Sequence, residues 1–171
     1  MNLEDIVSGS TVLIDTNVLL YARNYRSPRC RQLLLRCQQG AVAGVITLPT
    51  LAEFSHRCMV QEAQANRLVG SNPARALAER PELVRQLSAY AEDVRALLDG
   101  ALTIAESYAQ DFLVALELQK QYGLLTNDSL NLAIARRHGI KEIATADKSF
   151  DAIQGFIVYK PGDLAGGAGV D

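Results

Sequence analysis

Tryptophan is absent from this 171-residue chain, and aromatic residues make up only 6% of it. A surface of stacked rings for gripping single-stranded nucleic acid is therefore not evident. Cysteine is scarce and odd in number: Cys30, Cys37 and Cys58, with no CxxC pair among them. Neither a disulfide framework nor a cysteine zinc site is indicated. Cys30 and Cys37 fall on one face of a predicted helix, and all three thiols read as inert core. The two histidines, His56 and His138, are isolated in the sequence, which favours structural or surface roles over catalysis. Basic charge is not in excess, since the net charge is −2. A polyanion would have to be held by local arginines or a bridging cation rather than by bulk attraction. No apolar run approaches the ~18 residues that suggest a membrane span. The acidic opening Met1-Asn2-Leu3-Glu4-Asp5 also lacks a signal peptide's basic-then-apolar layout, so a cytoplasmic protein without a membrane partner is expected. No GxGxxG follows the first predicted strand, which argues against a dinucleotide-dependent redox enzyme.

What the chain does have is an apolar run, Thr11-Val12-Leu13-Ile14, that stops at Asp15-Thr16-Asn17 and resumes at helical spacing. This reads as a buried parallel strand, a tight turn and a helix start. Asp15 then lies at the carboxyl end of a strand, the edge where open α/β sheets bind ligands. Further strands are expected at 41–47, 101–105, 142–146 and 156–159. Helices are expected at 17–25, from Ser27-Pro28 to Gly40, across 50–69, 81–98, 109–121 and 128–138. Ser27 and Pro28 suit the N-cap and first helical position. Thr50 and Glu53 have the spacing of a capping box. Residues 1–10 read as a polar lead-in and 161–171 as a loose tail. Strands alternating with helices imply one α/β domain over residues 1–160. The expected form is a three-layer α/β/α sandwich on a central, mainly parallel, five-stranded sheet, with a helical middle at about 54–98. Arg23, Arg26, Arg29, Arg31 and Arg36 crowd the first helical hairpin, as a solvated face or as a phosphate-contacting rim.

Four acids occupy comparable places. Asp15 and Asp147 follow strands, and Glu53 and Asp128 stand near helix starts. Each alone could be a cap, or a charge favoured by the helix dipole. Together they would meet at one sheet edge, where two unit charges ~5 Å apart repel by roughly 3 kcal/mol at an effective dielectric of 20. A hard divalent cation with oxygen ligands, Mg²⁺ or Mn²⁺, would offset that repulsion. A phosphatase using an aspartyl nucleophile would want a second Asp where Asn17 stands.

The motifs carry a family resemblance. Val12-Leu13-Ile14-Asp15-Thr16-Asn17 looks like the opening motif of PIN-domain nucleases, and Leu48-Pro49-Thr50-Leu51-Ala52-Glu53 resembles their second. Gly123-Leu124-Leu125-Thr126-Asn127-Asp128, with Leu130, Ala133 and Ala135, is similar to the third. Thr145-Ala146-Asp147-Lys148-Ser149-Phe150 matches the T-x-D-x-x-F fourth. The resemblance, spanning about residues 11–160, implies an endoribonuclease whose Asp15, Glu53, Asp128 and Asp147 hold Mg²⁺ or Mn²⁺. It further implies that Thr16, Asn17 and Thr145 orient ligands or phosphate. VapC-like toxins of VapBC toxin–antitoxin pairs are similar, which implies RNA as substrate, an antitoxin partner and a homodimer. The helical middle is longer than compact toxins carry. A stand-alone PIN protein in RNA processing and a non-catalytic RNA- or protein-binding module are the alternatives.

Overall fold

Along β1 (Thr11–Ile14) the side chains alternate between two interiors. Val12 and Ile14 enter one hydrophobic cluster and Leu13 enters another. The two-residue period of a strand sends neighbours to opposite faces, so both faces of this sheet are covered. The same split recurs in β2 (Ala43–Thr47), between Ile46 and Val45, and in β4 (Glu142–Ala144), between Ala144 and Ile143. The computed structural model describes residues 1–164. With β3 (Thr103–Ala105) and β5 (Ile157–Tyr159), these strands form one sheet in the order β3-β2-β1-β4-β5, every pair parallel.

On one face lie α1 (Thr16–Arg23), α2 (Pro28–Gln38) and the front of α3 (Leu48–Ala65), contributing Leu19, Leu33 and Phe54. On the other lie α7 (Ala109–Tyr122) and α8 (Thr126–Arg137), contributing Leu118, Leu132 and Ile134. This is the expected three-layer α/β/α sandwich. The chain runs outward from β1 through β2 to β3, then returns to β4 on the opposite side. The order therefore reverses between β1 and β4, which places a crevice beyond their carboxyl ends. Gly44 makes close packing possible here. A Cβ on it would meet Leu102 Cδ2 at 2.6 Å and Cys37 Sγ at 2.8 Å.

Several local expectations change. Residues 1–10 are not a mere lead-in: Leu3 and Ile6 are buried, and Asn2 bridges to Lys160 beside β5. Their apolar side chains belong to the first cluster, which the polar surroundings conceal in sequence. Thr47, not Thr50, caps α3, accepting from the Thr50 amide at 3.1 Å, so Glu53 closes no capping box. The expected single helix over 81–98 is two pieces, α5 (Pro81–Val84) and α6 (Ala89–Leu98), preceded by α4 (Pro73–Glu79). The break is stabilised from outside. Glu62 on α3 accepts from the amides of Ser88, Ala89 and Tyr90 at 2.9, 3.1 and 2.9 Å, satisfying donors that a helix start leaves open. Helices α4–α6 pack on the far end of α3 through Leu77, Leu87 and Ala63, a satellite core of their own.

Helices α2, α7 and α8 end at left-handed glycines, Gly40, Gly123 and Gly139. Helices α1 and α3 end the same way without one, at Tyr25 (φ 56°) and Arg67 (φ 59°). A side chain costs roughly 1–2 kcal/mol in that conformation. Residues 161–164 are not free either: Asp163 accepts from Ser27 Oγ at 2.7 Å and the Arg29 amide at 3.0 Å. The rest of the expected tail, 165–171, lies outside the described residues. Cys30, Cys37 and Cys58 are free and buried, and burial pushes the Cys30 and Cys58 thiols up to about 11. Among the described residues, no helix is long and apolar enough to cross a membrane.

Candidate active site

The end of β1 supplies the first acid because Asp15 is the N-cap of α1. Its Oδ1 accepts from the Thr16 amide at 2.7 Å. Its Oδ2 accepts from Asn17 Nδ2 at 2.5 Å and Thr145 Oγ1 at 2.6 Å. Thr145 stands just past β4, and its hydroxyl in turn accepts from the Asp147 amide at 2.9 Å. Asn17 Oδ1 accepts from the Ala146 amide at 2.9 Å. Asn17 and Thr145 thus bolt the ends of β1 and β4 together across the crevice, with Asp15 between them. Thr16 faces the other way, its hydroxyl donating to Glu53 Oε2 at 3.3 Å. The three residues expected to orient ligands therefore orient carboxylates and loops in this structure.

Asp147 caps the 3-10 turn Lys148–Phe150, accepting from the Ser149 amide at 2.8 Å. Asp128 lies in the first turn of α8. Burial raises its carboxyl from the ordinary 3.8 to about 7, helped by the negative charges of Asp15, Asp147 and Glu53. Burial likewise raises Asp15 to about 6 against the hydrogen bonds that lower it, with Glu53 and Asp147 adding repulsion. The four sequence-predicted acids thus feel one another across distances the chain alone does not reveal. Arg57, one turn beyond Glu53 on α3, brings a guanidinium nitrogen to 3.8 Å of its carboxylate.

Two further residues hold this edge in place. Thr47 Oγ1, at the end of β2, donates to Asn131 Oδ1 at 2.5 Å, and both side chains are buried. Asn131 stands one turn after Asp128, so this bond fixes the start of α8 over the sheet. A polar residue inside the apolar run Leu130–Ala135 is the one sequence signal for it, because a buried amide needs a partner. The arginines of the α1–α2 hairpin divide. Arg23 pairs with Asp93 at 2.6 Å, Arg29 with Glu4 at 3.2 Å, and Arg36 donates to the Ile6 carbonyl at 2.6 Å. Arg26 and Arg31 instead lie over the rings of Tyr21 and Tyr25. His56 and His138 are exposed.

A PIN-domain family model matches residues 12–155. This chain belongs to the PIN-domain family. The four motifs and the reversal between β1 and β4 all lie within that span. Among solved structures, VapBC2 of Rickettsia felis, bound to a promoter DNA fragment, is 18% identical. The match covers 88% of this chain and 98% of that one, with a TM-score of 0.56. The sarcin–ricin loop cleaving toxin VapC20 of Mycobacterium tuberculosis is 17% identical, covering 85% and 96%, with a TM-score of 0.53. A toxin–antitoxin complex from Klebsiella pneumoniae is 22% identical, covering 85% and 95%, with a TM-score of 0.51. At these identities the likeness is one of fold. No curated protein matches the chain.

PIN nucleases use divalent metal ions, and the four acids are the candidate ligands. Among the described residues, no group of three or more His, Cys, Asp or Glu side chains stands ready-made to hold a metal ion. The donor chemistry nevertheless fits a hard cation. The candidates are carboxylates, and two of them carry raised pKa values from burial and from each other. A divalent ion would relieve that crowding.

Proposed function

We propose that this PIN-domain chain is a metal-dependent endoribonuclease acting as the toxin of a VapBC-type pair. The observation that carries the reading is the gathering of Asp15, Glu53, Asp128 and Asp147 at one crevice, where burial raises Asp128 to about 7 and the other three charges add to the shift. Those four carboxylates would hold Mg²⁺ or Mn²⁺, some of them through water. A bound cation supplies a water of lowered pKa and offsets charge on the phosphorus under attack. The chain's own residues do the positioning. Thr16 and Thr145 fix Asp15 and Glu53 from either side, Asn17 ties the two strand ends, and Asn131 holds Asp128 over the crevice. Neither histidine is needed as a base.

RNA and an antitoxin follow from the same reading. The similarity to a toxin–antitoxin complex and to a sarcin–ricin loop cleaving toxin supports both. An antitoxin segment would lay a basic side chain beside the acids. A homodimer is the expected assembly. Helix α7 leaves Phe112, Leu113 and Leu116 exposed, with Leu125 just beyond it. The alternative of a stand-alone RNA-processing nuclease shares the same chemistry, and an antitoxin encoded alongside the chain would separate the two.

The test is cleavage of single-stranded and stem-loop RNA by the purified chain with Mg²⁺ or Mn²⁺. Cleavage should need the ion, stop in excess chelator and be lost in Asp15→Asn. Cleavage that persists in chelator or in that variant would reject the mechanism.

A further inference from the structure

A cavity of about 490 Å³ lies away from the acids, lined by Arg23, Asn24, Gln61, Glu62, Asn66 and Ala89 among others. It is a groove open to solvent rather than an enclosed chamber. It sits where α1 and α3 end and α6 begins. The two non-glycine left-handed residues among those described, Tyr25 and Arg67, each directly follow one of its lining asparagines. Helices α2, α7 and α8 place glycine at the corresponding position. Strained side chains confined to the rim of one cavity point to a role for those side chains rather than for the backbone turn.

The chemistry around the cavity selects the ligand. Arg23 donates to Asn24 Oδ1 at 3.0 Å and to Gln61 Oε1 at 3.3 Å, and Asn24 Nδ2 donates to Gln61 Oε1 at 3.2 Å, which leaves the Gln61 amide nitrogen and the Asn66 amide to meet the edge of a nucleobase. Inside, Glu62 is occupied by three backbone amides and Arg23 is paired with Asp93, so a phosphate finds no free cation within. Outside, the Tyr25 ring is 74% exposed and backed on one face by Arg31 at 4.4 Å, leaving the other face for a base to stack upon. Arg67, next to the lining Asn66, and Arg26, which lies over the Tyr21 ring, are exposed, and among the described residues neither forms an ion pair. Helix α1, eight residues long, separates this place from Asp15. At 1.5 Å per residue that is about 12 Å, a reach of a few nucleotides.

We propose that this cavity and its rim, Tyr25 and Arg67, form a nucleotide-binding subsite for the RNA substrate. One base enters the cavity, a neighbour stacks on Tyr25, and the rim arginines meet the phosphates. The inference rests on the ribonuclease reading, and its test separates the two. Tyr25→Gly and Arg67→Gly relax the backbone, so each variant should keep or raise its Tm. In RNA cleavage each should raise KM five- to twenty-fold while changing kcat less than threefold. In chelator, anisotropy of a labelled single-stranded RNA should show weaker binding by a similar factor. Cleavage with unchanged KM and unchanged RNA affinity in both variants overturns the subsite and leaves the nuclease reading standing. Weakened binding without cleavage by the wild-type chain keeps the subsite and removes the nuclease. No RNA binding by the wild-type chain overturns both.

Discussion

Two buried aspartates in this molecule behave in opposite ways. Asp111, at the start of α7, is 3% exposed and meets Arg137 through two hydrogen bonds, Nε to Oδ1 at 2.8 Å and Nη2 to Oδ2 at 3.0 Å. The guanidinium holds its carboxyl below the ordinary range. Asp15, 8% exposed at the sheet edge, is driven the other way, and so is Asp128 beside it. A buried charge is tolerated when a cation accompanies it. Asp111 has its cation within the chain and staples α7 to α8. At the crevice Arg57 stands 3.8 Å from Glu53, while Asp15 and Asp128 are pressed upward by burial and by the neighbouring acids. The difference separates an acid kept for the fold from acids kept for something the fold does not supply.

Substitutions at either place should separate the two kinds of acid. The largest effect is on chemistry: Asp15→Asn should lower kcat/KM for RNA by about 100-fold or more, since even outer partners of a metal are worth 10–100-fold. Circular dichroism should show the fold intact. Next is the structural pair. Arg137→Met strands Asp111 without its cation and should lower Tm by about 5 °C or more, with cleavage at low temperature retained. The smallest effect has the opposite sign. Asp128→Asn removes a charge that its neighbours oppose, and should raise the metal-free Tm at pH 8 by about 2–4 °C, equivalent to roughly 1 kcal/mol. A fall in Tm for Asp128→Asn as large as that for Arg137→Met would erase the distinction.

The pH dependence follows from the same shifts. Asp15 and Asp128 hold protons in the folded chain that the unfolded chain releases near pH 3.8. Their stabilising contribution is therefore complete below about pH 4 and is lost as pH rises through about 6 and 7. Metal-free thermal melts should show this decline and flatten above pH 7, and added Mg²⁺ should recover the loss at pH 8.

Much of this was legible in the sequence wherever the signal is local. The abrupt change at Ile14-Asp15 marks a strand end, and Ser27-Pro28 marks a helix start that Ser27 indeed caps, accepting from the Cys30 amide at 3.0 Å. Alternation of strands and helices was enough for the sandwich and for the edge the acids share. What stayed hidden depends on partners far along the chain. Glu62 caps a helix 26 residues away, which is why 81–98 reads as continuous. Asn131 finds Thr47 across 84 residues. Leu3 looks peripheral until Lys160 brings its backbone alongside β5. Tyr25 and Arg67 carry no sequence mark at all, because a left-handed turn normally announces itself by glycine.

The most direct measurement is a carbon-13 NMR titration of the Asp128 carboxyl in the metal-free chain. The expected midpoint lies near pH 7 and moves down when Asp15 is replaced by Asn. A midpoint near 4, unmoved by that replacement, would show that the acids do not share a field and would contradict the reading of the crevice as a metal-dependent active site.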